Sequence, residues 1–330
     1  MTAALVLLGY AVGAAWCVPA LLAPLTRHGI SVRAGLAAWL TAMASVLLSG
    51  TVAVLFSVRT AAADWPRLTS TLCRSVAGGA CTPEVYRSLF YQAGVAALAA
   101  VLAFASVLAL WRYGRRVQRS RRQTRAHAAA ARLVGRALAA GAGSGAVVGR
   151  QAEAVVLDDP RPAAYCVAGR PAAIVLTSGA LEVLDPPQLG AVLAHERAHL
   201  AHADHLLATL TQGLAAAFPG VPLYATGAAE VARLAEMSAD DTAARASGRP
   251  ALVAALLAIA TGVAISSTGI PGTGVPGGAL AAAAHAVPAR VERLLCPPTP
   301  GRSAAFTAML TLALALLAAA PLALALFAPR

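Results

Sequence analysis

The chain contains no lysine: all 26 of its basic residues are arginine. It is also poor in charge and in aromatics, at 12% and 5% of residues. A water-soluble domain carries about 25% charged residues, so a fully solvated globule is excluded. The hydrophobic share is 58% and the mean hydropathy is +0.69, a membrane-protein composition. With 14 acidic residues the net charge is +12. That excess would suit nucleic acid, but the arginines cluster beside an apolar run, where they set topology. No direct nucleic-acid partner is expected, and the arginine-only, alanine-rich bias is that of a GC-rich genome. The five cysteines include no C-x-x-C pair, which excludes a cysteine zinc cluster. Cys17 follows Trp16, the wrong context for lipoprotein cleavage. No internal repeat is evident.

Four long apolar runs are present. A bilayer takes about 20 apolar residues to span, and residues 2–25, 35–58, 90–111 and 304–327 each suffice. No positive charge precedes the first run, so it reads as a retained helix and not as a signal peptide. Arg112, Arg115, Arg116, Arg119, Arg121, Arg122 and Arg125 follow the third run directly. By the positive-inside rule they place what comes next in the cytoplasm, with both termini outside. The same charges suit anionic lipid. Residues 59–89 then form an outer loop. Cys73 and Cys81 in it could pair in an oxidising compartment or stay as thiols, and the sequence leaves both open. These runs divide the chain into a membrane domain at 1–111, a cytoplasmic domain at 112–303 and a fourth span at 304–330.

The cytoplasmic stretch mixes element types. Ala128 to Ala140 predicts a helix, broken by Gly141 to Gly145. β-like runs follow at Ala154–Leu157, Ala164–Val167 and Ala173–Thr177, the last two joined as a hairpin at Gly169-Arg170-Pro171. Such a sheet offers an edge for an extended peptide. Asp185-Pro186-Pro187-Gln188 has the form of a capping box with proline in the first turn. The uncharged run 206–229 contains Pro219, Gly220 and Pro222, and predicts a helix end with a buried or interfacial turn. Glu230 to Ser247 predicts a polar helix. Ala251 to Ser266 predicts an apolar one, in the core or at the membrane, and Gly262 to Gly278 a loop.

The helix that opens at Asp185 runs into His195-Glu196-Arg197-Ala198-His199, an H-E-x-x-H box. Histidines four apart share one helix face and can hold one zinc. Glu196 lies beside them, placed to take a proton from zinc-bound water. A catalytic zinc has three protein ligands and an open position, so a third ligand is needed. Glu236, with Asp240 one turn on, is favoured. Asp240 can accept the free N–H of a ligand histidine. The rival is His205, in H-E-x-x-H-x-x-H-x-x-H. It requires the chain to turn at His202, whereas Leu200 to Leu210 reads as continuous helix. Asp204 and Arg245 are placed to brace the two helices.

This pattern resembles the membrane zinc peptidases of the BlaR type, the protease modules of bacterial β-lactam sensor-transducers, and their HtpX-type relatives. The residues that carry it are His195-Glu-Arg-Ala-His199, Asp204 and Glu236-x-x-x-Asp240. Tyr165-Cys166-Val167 and Ile174 to Leu181 add to it. His285 and Arg290-Val-Glu-Arg293-Leu resemble the closing motif of the HtpX-type group. The resemblance implies a mostly α membrane protein, with a cytoplasmic α+β gluzincin-like zinc peptidase domain inserted between transmembrane helices 3 and 4. It implies one Zn2+ on His195, His199 and Glu236, with Glu196 as base and Asp240 behind the ligands. It implies a bacterial inner-membrane location. The protein or peptide substrate would be a regulatory factor such as a transcriptional repressor, or membrane proteins under quality control. A signalling scaffold with structural zinc is the non-enzymatic alternative. The sequence ends at Arg330 without a penicillin-binding sensor, so antibiotic sensing is not expected of it.

Overall fold

A computed structural model describes residues 2–27, 31–76, 83–138, 152–168, 172–266, 287–297 and 300–327. Helix α1 spans Thr2–Thr26, α2 Val32–Val76 and α3 Pro83–Val134. Strands β1 (Arg136–Ala137), β2 (Ala152–Leu157), β3 (Ala164–Val167) and β4 (Ala172–Thr177) follow. Then come α4 (Ser178–Val183), α5 (Pro186–Ala201), α6 (Asp204–Ala217), α7 (Pro222–Ser247) and α8 (Arg249–Ser266). A short helix α9 covers 287–295, and α10 spans Pro300–Phe327.

Among the described residues, four helices are long and apolar enough to cross a membrane, within Ala3–Thr26, Val32–Pro66, Leu89–Gln123 and Ala304–Ala323. Two of them outrun the expectation. α2 continues to Val76 and α3 begins at Pro83, so most of the expected outer loop is helix. Polarity marks where a span leaves the apolar layer but does not end a helix. Pro66 sits inside α2, at the cost of one backbone hydrogen bond. α3 likewise carries the arginine run without a break and stops at Val134, before Gly135. The helix expected over 128–140 therefore ends early, and Arg136 already pairs with Val156 in the sheet. The glycine break 141–145, the turn 169–171, Cys81, the Cys73 side chain, residues 267–278, His285 and Arg330 lie outside the described residues.

The sheet runs β1-β2-β4-β3. β3 and β4 form the expected antiparallel hairpin, with Cys166 opposite Ile174. β2 pairs with β4 in parallel, Val155 opposite Val175. That leaves β3 as the edge nearest α5. β4 is buried almost throughout. Ile174 and Leu176 pack with Ala180, Leu189, Val192 and Leu193 beneath α5 and with Ala255 of α8. Burying one such large aliphatic side chain stabilises by about 1.5–3 kcal/mol. Gly179 is required where α4 begins, because a Cβ there would lie 2.1 Å from the Pro160 carbonyl oxygen. α8 joins this core through Ala255, packs Leu252 with Ala191, Ala243 and Leu294 in a neighbouring cluster, and ends at Ser266 as expected, so the loop expected from Gly262 starts later.

A second core joins the spans to α6 and α7. Trp39, Met43 and Val46 of α2 pack with Leu22 of α1, Leu214 of α6 and Leu223, Tyr224, Val231 and Leu234 of α7. α7 starts at Pro222, well before the polar helix expected from Glu230.

Candidate metal centre

α5 starts as its sequence dictates. Asp185 accepts from the Gln188 N–H at 2.8 Å, and the Gln188 side chain accepts from the Asp185 N–H at 3.2 Å. This reciprocal cap fixes the phase of the helix. One face then presents His195 and His199, both largely buried, with their Nε2 atoms 3.0 Å apart. From the facing α7, Glu236 places Oε2 3.4 Å from His195 Nε2 and Oε1 3.4 Å from His199 Nε2. Tetrahedral zinc with bonds of about 2.0–2.2 Å puts its ligand atoms about 3.3–3.6 Å apart. Two imidazole nitrogens and one carboxylate at these separations therefore fit one such ion. Among the described residues they are the cluster with ligand atoms all within 4.8 Å of one another.

Each histidine is held from behind. Asp204 Oδ2 lies 2.7 Å from His199 Nδ1. This contact depends on a break that the sequence reading missed. His202 caps α5 in a helical conformation, and Ala203 takes φ 56°. A left-handed alanine costs about 1–2 kcal/mol. On a straight helix a residue five positions on would sit about 140° around the axis, so Asp204 would face away from His199. The turn at Ala203, not at His202, brings it back. The expected continuous helix from Leu200 to Leu210 is thus corrected, and Asp204 partners His199 instead of bracing two helices. His205 follows the same turn but is exposed and outside the cluster. Arg245 is exposed too and donates to Thr242 Oγ1 at 3.0 Å, so it braces nothing at the site. On the other side, Asp240 Oδ1 lies 3.1 Å from His195 Nδ1.

The group that the sequence reading passed over is Arg290 on α9. It is 7% exposed. Its Nε donates to Asp240 Oδ2 at 2.7 Å and its Nη2 to Asp240 Oδ1 at 2.6 Å. Nη1 lies 3.1 Å from Glu236 Oε2. Such a two-pronged contact is the strong form of the arginine–carboxylate pair. Arg293 grips the adjacent Asp241 at 2.7 and 2.8 Å. The signal was the Arg290-Val-Glu-Arg293 motif, whose i, i+3 arginines match neighbouring aspartates on another helix.

The electrostatics follow from this packing. Burial pushes the Glu236 carboxyl up, but hydrogen bonds from His195 and His199 and the Arg290 charge hold it well below its ordinary value. Burial disfavours protonated His199, yet Asp204 and Glu236 outweigh this and raise it to about 10. His195 is raised against its own burial by Asp240 and Glu236. Glu196 is 7% exposed. Burial raises its pKa, opposed by the charges of His195 and His199. Cys166 on β3 is close enough for its thiol and the Glu196 carboxylate to shift one another. Burial first, and that carboxylate second, push the thiol to about 12.

The family model for peptidase family M48 matches residues 120–295, just over half of the chain. The chain belongs to peptidase family M48. The matched range takes in the sheet, both histidines, Glu236, Asp240 and Arg290. Curated relatives include "Protease HtpX homolog" of Acidiphilium cryptum (strain JF-5), 42% identical over 64 residues, 19% of this chain and 22% of that protein. The same name belongs to a protein of Tropheryma whipplei (strain Twist), 39% identical over 67 residues, 20% of this chain and 23% of the relative. A third, from Ralstonia nicotianae (strain ATCC BAA-1114 / GMI1000), is 35% identical over 72 residues, 21% and 25% of the two chains. The chain thus spans about a quarter of the length of the curated relatives it matches. No solved structure matches it.

Proposed function

We propose that this M48 protein is a membrane-embedded, zinc-dependent endopeptidase with His195, His199 and Glu236 as the metal ligands. The observation that carries the reading is the convergence of the two Nε2 atoms, 3.0 Å apart, with the two oxygens of the Glu236 carboxylate, each 3.4 Å from one of them. When bound, zinc supplies Lewis-acid polarisation and lowers the pKa of water to about 7. Asp204 and Asp240, facing the Nδ1 atoms, turn both Nε2 atoms toward the shared point. Arg290 keeps Asp240 and Glu236 ionised and oriented. Glu196 is the general base. It accepts a proton at its carboxylate as water attacks the peptide carbonyl, then returns it to the leaving amine. Its burial suits this, because a raised pKa makes the carboxylate a better acceptor near neutrality.

The arginine run after the third span supports a cytoplasmic peptidase domain in the bacterial inner membrane, with both termini outside. Two substrate readings share this chemistry. In one the enzyme cuts a cytoplasmic regulator such as a repressor, as in the BlaR type. In the other it cuts membrane proteins. The matched HtpX homologs support the second at least as well. A structural-zinc scaffold would have no use for a buried base beside the ligands.

Glu196→Gln tests the mechanism. General-base catalysis contributes about 10²–10⁴-fold, so the variant should retain its zinc and lose casein cleavage by at least that factor. Cleavage at the wild-type rate would remove Glu196 from the mechanism.

A further inference from the structure

The fourth span is tied to the first two by a chain of hydroxyl groups. Pro321 lies within α10. It has no N–H, so the Leu317 carbonyl, one turn earlier, loses its helical donor. In hydrocarbon an unpaired carbonyl is costly, and another donor must be found. Ser45 of α2, 4% exposed, supplies one, its Oγ donating to the Leu317 oxygen at 2.6 Å. A serine hydroxyl has a single proton. With that proton on Leu317, the 2.8 Å contact between the Tyr10 hydroxyl of α1 and Ser45 Oγ is a donation from the tyrosine. The tyrosine hydroxyl also lies 3.5 Å from the same carbonyl. Three helices thus share one run, Tyr10 O–H to Ser45 O–H to Leu317 C=O, in which each link polarises the next. Ser45 stands near the middle of the apolar run 35–58.

The same face of α10 makes the rest of its seat. Thr307 Oγ1 is 2.7 Å from Ser31 Oγ. Leu310, 1% exposed, joins the core of α1, α2, α6 and α7. Positions 307, 310, 317 and 321 fall within about 80° of one another around a helix. Leu312, Leu316 and Leu322, on its other sides, are exposed. Lipid is as apolar as leucine, so hydrophobic burial drives helix association little there. The directional contacts therefore decide where α10 sits.

α10 is in turn the anchor of α9. Residues 296–299 alone separate the two. α9, at 287–295, is shorter than the about 12–15 residues that a lone helix needs. Arg290 on Asp240 and Glu236, Arg293 on Asp241, and Leu294 against Ala191, Ala243 and Leu252 hold it in place. A short tether keeps a module beside its docking place at an effective concentration of about mM, and that advantage goes when the anchor moves.

We propose that Tyr10, Ser45 and Leu317 form a clasp within the membrane that seats the fourth span, and that the seated span keeps Arg290 on the metal centre. Tyr10 and Ser45 are then positioning residues for a site they do not touch. Release of the clasp loosens the cation that orients Asp240 and Glu236, which gives the centre a control point inside the bilayer. The coupling rests on the ligand reading above; the clasp does not.

Two measurements on the full chain in liposomes decide it. First, ketone-bearing residues at Val107 and Leu316, 65% and 63% exposed, are converted to nitroxides and the distance from α3 to α10 is read. Warming brings in a second, longer distance as α10 unseats. Ser45→Ala should bring it in at a lower temperature than wild type. In a Pro321→Ala background the new N–H meets the Leu317 carbonyl, so Ser45→Ala should shift that temperature much less. An equal shift in both backgrounds, or none in either, overturns the clasp. Second, a chelator is added to the zinc-loaded protein. One hydrogen bond between membrane helices shifts an equilibrium about threefold, so Ser45→Ala should release zinc faster than wild type by about that factor. In an Arg290→Ala background the same substitution should add nothing. Equal release from wild type and Ser45→Ala, or the same acceleration without Arg290, overturns the coupling. If wild type holds no zinc, the ligand reading falls and the coupling with it, while the label distance still decides the clasp.

Discussion

The two halves of α7 are one continuous helix with opposite chemistry. From Pro222 to Ala229 it has no charge, and Gly227 there lies against Trp39 and Met43 of α2. From Glu230 to Ser247 it carries Glu230, Arg233, Glu236, Asp240 and Asp241, each with a named ionic or hydrogen-bonded partner. The lower half is held by shape. The upper half is held by paired charge, which is strong only when every member is satisfied. The boundary is Arg233, which caps the last carbonyls of α1. A rigid rod thus ties the spans to the third candidate ligand.

If that contrast is right, the largest effect comes from unpairing the upper half. Arg290→Ala leaves the Asp240 carboxylate, 1% exposed, without its cation, and breaking a buried pair costs about 3–5 kcal/mol. Thermal unfolding in detergent should show the loss, and zinc should dissociate more readily. Wild-type unfolding and zinc retention would break the comparison. In the lower half, Gly227→Val forces a side chain against Met43 and Trp39, an overpacking cost of about 1–3 kcal/mol. It should leave isolated zinc affinity near wild type while lowering the unfolding temperature. The smallest effect sharpens the contrast from outside it. Arg245→Ala removes an exposed contact to Thr242 and should stay within about 0.5 kcal/mol, with unchanged cleavage.

What could be read ahead of the structure was what local sequence encodes. The start of α5 was legible because a capping box lies within four residues. The spans were legible because lipid demands unbroken apolar length. The pair Glu236 and Asp240 was legible through helical period alone. The motif around Arg290 was visible as a resemblance, but its role was not, because its partner Asp240 lies 50 residues away. Nor was the turn at Ala203, since alanine gives no sign of a left-handed conformation. Polar stretches were read as loop after Val58, although arginine and alanine there are good helix formers in water. The turn between α6 and α7 was placed from its prolines, but the packing of α7 on Met43 and Trp39 was not, because those partners lie far away in α2.

Metal analysis of purified wild type beside Glu236→Ala and His205→Ala tests the centre most directly. The account predicts about one zinc per chain in wild type and in His205→Ala, and its loss from Glu236→Ala. Metal-free wild type, or zinc lost with His205 and kept without Glu236, would contradict it.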